Sequence, residues 1–215
     1  MIRILRIVLL LAPPLILMAL ALPRFFGGLA LDATFPVPAG MASNRVFSRE
    51  TYARTAAVLA VVDPADGEAQ LLRAQAISQA GAPAVIVRPM VERALGQAPT
   101  SIQGWMLLSE ASLGADPASA VKALQMVMDL SPHDYWLVGR KTRTGARLWE
   151  RLSPDTQQDL LYQARRVWTA PSLRSELLPL IRVEGGSMLM TRAIAQPDEI
   201  RALNRYISHL RRTRP

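Results

Sequence analysis

The chain has 215 residues, 50% of them apolar, and a net charge of +8, enough apolar material to bury a core and too much for a disordered chain. It contains no cysteine, which excludes disulfides, thiolate metal sites, thiol catalysis and a lipid-bearing cysteine, and leaves the redox compartment open. Aromatic residues are scarce at 6% and Ala and Leu abound, so helices are favoured over strands.

Arg3 and Arg6 precede an apolar run over residues 7–22, closed by Pro23 and Arg24. With Ile4 and Leu5, and with both arginines snorkelling, the run reaches the lower limit of about 17 residues for a membrane-spanning helix. Pro13 and Pro14 would kink such a helix without excluding it. A cleaved signal peptide shares the basic start, the apolar centre and the small residues Ala19 and Ala21. The uncleaved anchor is favoured because Pro23 directly after that site hinders cleavage. The two arginines put the start of the chain in the cytoplasm and its bulk outside, in a bacterium the periplasm. Residues 1–24 are thus expected to be a transmembrane or signal-anchor segment, and residues 25–47, with Phe35-Pro36-Val37-Pro38, a linker.

Beyond the linker the chain is self-similar at a spacing of 33 residues. Leu72 falls on Trp105, Ala76 on Ser109, Gly81 on Gly114 and Ala82 on Ala115. Val87 then falls on Ala120, Val91 on Leu124, Ala94 on Val127 and Pro99 on Pro132. A large apolar residue, a small one, a turn glycine, an apolar i, i+4, i+7 face and a closing proline describe a helix hairpin.

On these residues the segment 99–132 resembles the tetratricopeptide repeat family. Trp105 matches the tryptophan of that family's first helix, and Leu108-Ser109 its large-small pair. Ala120 matches the small residue opening the second helix, and Pro132 the closing proline. Leu124 stands in place of an aromatic residue, Val127 in place of alanine, and the unit is one residue short. The preceding unit, 64–99, is more divergent, with Leu72 for the tryptophan and Pro89 expected to kink or delay its second helix. Before it, Tyr52, Ala56, Leu59 and Pro64 match only a second helix. The resemblance covers residues 48–132. It implies an all-α solenoid of helical hairpins, whose first helices line a concave groove for a partner's peptide. By that implication Leu72, Arg73, Ala76, Gln103, Met106, Glu110 and Leu113 face the groove.

In residues 133–215 a helix is expected from Asp134, with Tyr135, Trp136, Leu137, Leu148, Trp149 and Leu152 on its apolar side. Ser153-Pro154-Asp155 caps another, burying Leu160, Leu161, Ala164, Val167 and Trp168. Pro171 opens a third with Leu173, Leu177, Leu178 and Ile181, stopped at Gly185-Gly186. Pro197 starts a last amphipathic helix with Ile200, Leu203, Ile207 and Leu210 at core spacing. These helices do not keep the 33-residue spacing and read as a helical cap over the open end of the array.

Motifs for catalysis are missing: the chain has no H-E-x-x-H, G-x-S-x-G or phosphate-binding glycine loop. His133 and His209 are isolated, Asp63, Asp66, Asp155 and Asp159 sit where helix starts explain them, and Gly185-Gly186-Ser187 reads as a turn. No catalytic residue, metal site or cofactor is expected, and the chain reads as no enzyme. The charge is uneven, with 15 basic against 8 acidic residues after position 132 and 10 against 9 before it. Arg140, Arg143, Arg147 and Arg151 share one helix face, and Arg165-Arg166 follow on the next helix. This face is either a solvated surface or a site for anionic glycan or lipid headgroups. The expected function is that of an envelope scaffold anchored in the bacterial inner membrane, docking a protein partner in a secretion or polysaccharide-export assembly, with no nucleic acid.

Overall fold

The computed structural model describes residues 46–61, 65–170, 174–183, 185–194 and 197–212, together with positions 14, 18, 21, 22 and 37. Most of the N-terminal apolar run, its linker, Asp63, Pro64, Pro171 and Leu173 lie outside the described residues, as do the side chains of Leu178, Ile181, Ile207, His209 and Leu210. Among the described residues every regular element is helical. The chain divides into two compact units between Leu107 and Leu108.

In the first unit, α1 (Arg49–Val58) begins at Ser48, whose Oγ accepts from the Thr51 amide at 3.1 Å. It ends in a 3₁₀ turn, Leu59–Val61, that buries Leu59 completely. Helix α2 (Gly67–Gln79) is capped by Asp66, which accepts from the Ala69 amide at 3.0 Å. Its far end closes with Gly81 at φ 97. There the Ala82 amide reaches back to the Ile77 carbonyl at 3.2 Å and the Gly81 amide to the Ser78 carbonyl at 3.0 Å. That pair of bonds is a Schellman stop, which needs the left-handed conformation glycine adopts freely. Helix α3 (Ala84–Leu95) then runs back, burying Val87, Val91, Ala94 and Leu95.

Pro89 does not delay α3, one of the two effects expected of it. The helix starts five residues before it and continues through it. The proline costs one ladder bond, and the carbonyl that loses its donor belongs to Val85, which is exposed.

Helix α4 (Ile102–Ser112) spans the division between the units. Its Gly104 admits close approach, since a Cβ there would stand 2.7 Å from Leu95 Cδ2 and 2.9 Å from Leu71 Cδ1.

In the second unit, α5 (Pro117–Leu130) starts on Asp116 with proline at its first position. A 3₁₀ turn, Tyr135–Leu137, leads into α6 (Val138–Leu148), and a second, Trp149–Arg151, leaves it. Helix α7 (Pro154–Thr169) is capped by Ser153 as its sequence indicates. The third expected helix is mostly not α: α8 (Arg174–Leu177) has four residues and passes into a 3₁₀ stretch, Leu178–Arg182. Arg174 pins it to the end of α7, donating to the Trp168 carbonyl at 2.6 Å and lying over the indole at 5.1 Å. Helices α9 (Gly186–Ala193) and α10 (Pro197–Arg212) complete the unit. Its core joins Val138, Val167, Trp168, Leu177, Leu189 and Ile194.

Candidate interaction surfaces

The residues expected to line a groove divide by burial. Ala76 and Met106 are fully buried and no partner peptide can reach them, a correction to the groove set. Ala76 is buried because it is the small residue of its hairpin. Met106 is buried although it was placed on the open side of its helix. Leu72, Arg73, Glu110 and Leu113 are half-buried and Gln103 is exposed. The Nε of Arg73 is enclosed and meets no hydrogen-bond acceptor. Trp105, the family-matching residue, is half-buried, and its indole N–H donates to the Pro99 carbonyl at 2.7 Å.

The arginine constellation also divides. On α6 every residue but Arg140, Arg143 and Arg147 is buried, so these three share an outward strip. Arg151, expected on the same helix, is exposed on the 3₁₀ turn that follows it. Arg140 is already occupied: its Nε and Nη2 donate to the two carboxylate oxygens of Glu110 at 2.9 and 2.7 Å. This fork brings together one expected groove residue and one expected anion-binding residue, and each satisfies the other's charge. Arg143 spends its Nε on the Gly139 carbonyl at 3.0 Å. Arg147 and Arg151 are exposed.

Arg165 and Arg166 are exposed on α7 but do not extend the strip. A Cβ on Gly145 would lie 2.4 Å from Leu160 Cδ1 of α7, and at 100° per residue Gly145 is roughly opposite the strip on α6. The two sets of arginines therefore belong to different faces, and Arg166 lies over the Tyr162 ring at 5.7 Å.

Lys141, next to Arg140 in the chain, stands apart from the arginines. It is fully buried and heads the large side chains without exposure. Its ammonium donates to the Ser131 carbonyl at the end of α5, where a cation also meets the negative end of the helix dipole. Burial pushes the Lys141 amine below the ordinary lysine range, and the Asp134 carboxylate opposes that shift. One signal was available: on α6 position 141 lies well away from the arginine strip, among Val138, Thr142 and Gly145.

His133, Asp155 and Asp159 are exposed, and Asp66 serves as the α2 cap. The Gly185-Gly186 turn is packed against backbone, with Cβ positions 2.6 Å from the Ala146 carbonyl oxygen and 1.9 Å from that of Leu180. Among the described residues no cluster of His, Asp or Glu is arranged to hold a metal ion, and no helix is long and apolar enough to cross a membrane. No protein-family model, curated protein or solved structure matches the chain.

Proposed function

We propose that the protein is a membrane-anchored scaffold of tetratricopeptide-like hairpins that docks a protein partner in a bacterial cell envelope, in a secretion or polysaccharide-export assembly. In this reading it acts by binding and not by catalysis. The observation that carries it is the burial of the residues paired by the 33-residue spacing. Ala76 and Ser109 are both 0% exposed, Val87 and Ala120 are 1% and 0%, Val91 and Leu124 both 0%, and Ala94 and Val127 1% and 0%.

The small residue of the better-matching unit meets its partner helix where a hairpin requires. Ser109 Oγ donates to the Ala120 carbonyl at 2.7 Å. Gly145 takes the same role against Leu160, so within the helical cap α6 and α7 read as a further hairpin. The N-terminal run supplies the anchor, held in the inner membrane with the helical units in the periplasm. Cleavage of that run would instead release them there.

The test is a photoreactive residue at exposed Gln103, in the full-length chain in its native membranes, followed by mass spectrometry. The expected result is a reproducible protein adduct from position 103 and none from exposed Gln125 on α5. Absence of any reproducible protein adduct removes the scaffold reading. A site for anionic glycan or lipid headgroups is the second reading, now reduced to Arg147 near the end of α6 and Arg151 on the turn after it, both exposed.

A further inference from the structure

One end of the first unit carries an apolar patch that no core residue covers. Val46 is 87% exposed, Val85 77% and Ile86 51%. Pro83, Ala84 and Pro89 beside them are exposed too. Val85 and Ile86 open α3, directly after the Gly81 turn. The start of α1 lies at the same end, because the Arg49 guanidinium carbon stands 3.7 Å from the Cβ position of Gly81. Val46 is held there by its neighbour: the Phe47 amide donates to the Tyr52 hydroxyl at 3.2 Å, and the two rings meet edge to face at 5.8 Å. Three exposed branched side chains and one exposed arginine thus stand at the same end of the unit. Glu50, next to that arginine, is paired with Arg54 at 3.1 Å, which leaves the local charge positive.

We infer that this end of the first unit rests on the surface of an anionic lipid bilayer, with Val46, Val85 and Ile86 in the interface and Arg49 on a phosphate. The inference rests on the anchor reading of residues 7–22 and adds the face turned to the lipid. Two facts favour a bilayer over a protein. The patch is small, apolar and arginine-flanked, which suits the interface between headgroups and acyl chains. It also lies where the chain arrives from the apolar run, with residues 23–45 between. That tether spans at most roughly 80 Å, so even a weak surface contact acts at high effective concentration.

The full chain lacks cysteine, so single labels are readily placed. A nitroxide at Ile86→Cys is compared with one at Val61→Cys, which is 67% exposed at the other end of α1, about 20 Å away along the helix. Both chains are reconstituted in equimolar phosphatidylethanolamine and phosphatidylglycerol vesicles. Collision with oxygen, which concentrates in lipid, is measured against collision with a water-soluble nickel chelate. The expected result is an oxygen-to-nickel ratio several-fold higher at position 86 than at 61. Equal, water-like ratios in vesicles that still carry the chain on flotation overturn the lipid-facing patch and leave the anchor intact. Protection of position 86 from both reagents also overturns it, since a second copy would then cover the patch. Failure of the chain to float with the vesicles removes the anchor reading and this inference together.

Discussion

Lys141 shows how one side chain can join two elements at a cost. Its amine satisfies the Ser131 carbonyl at the end of α5, but a lysine with no exposure gives up its hydration to do so. Replacement by alanine removes the bond and leaves a cavity, and should destabilise the second unit by about 2–4 kcal/mol. Lys141→Met keeps the volume, loses the bond and relieves the desolvation, so its cost should be about 1 kcal/mol or less. The pH dependence has a definite sign. Because burial lowers the folded-state value below the ordinary 10.5, the unfolded chain binds the extra proton between the two values. Stability from this group therefore rises as pH climbs toward 10.5, by at most about 1.4 kcal/mol per pH unit. Urea midpoints of wild type and Lys141→Met across that range check it. A slope that Lys141→Met leaves unchanged rules the lysine out as its source. Helical spacing sets Lys141 apart from the arginines, but it does not supply the partner, the Ser131 carbonyl. The lysine's burial depends on α5 ending where it does, a tertiary fact that local pattern does not carry.

The helices themselves were largely legible. Asp66, Asp116-Pro117 and Ser153-Pro154 are start signals readable in one dimension, and each caps the helix it precedes. Less legible was what each glycine does. The 33-residue spacing equates Gly81 with Gly114, yet only Gly81 has a positive φ, and Gly114 has open space around its Cβ position. Gly81→Ala should cost about 1–2 kcal/mol through the left-handed backbone, while Gly114→Ala should be neutral or stabilising by up to about 1 kcal/mol. Gly145→Ala belongs with the first, at about 1–3 kcal/mol, since its methyl meets Leu160. Thermal denaturation of the three variants separates them. Equal losses at positions 81 and 114 would contradict the backbone distinction. The four-residue α8 and its 3₁₀ continuation were misread as one helix. Pro179 stands inside that 3₁₀ stretch, but Pro89 at the same distance into α3 leaves its helix intact, so a proline in the sequence does not by itself mark where an α-helix gives way.

At the scale of the molecule, the positive charge is spread over more than one face, which the sequence total of +8 conceals. Arg140 is bound to Glu110 and Arg165 and Arg166 face elsewhere, so retention on an anionic matrix through the end of α6 and the turn after it should depend on Arg147 and Arg151. Arg147→Glu with Arg151→Glu should lower the salt needed for elution, and Arg140→Glu should instead lower stability by placing two carboxylates together. Retention unchanged by the double reversal would exclude this pair as the anion-facing surface. The buried lysine has a further consequence, chemical instead of energetic. The sequence holds only two lysines, Lys122 and Lys141, and Lys141 has no exposure. Acylating agents and amine-directed reagents therefore find one side-chain amine, exposed Lys122 on α5. Almost all of the molecule's positive charge resides on guanidinium groups, which neither acylation nor any ordinary pH neutralises. Its cationic character is in that sense permanent, beyond adjustment by the enzymes that acetylate lysine.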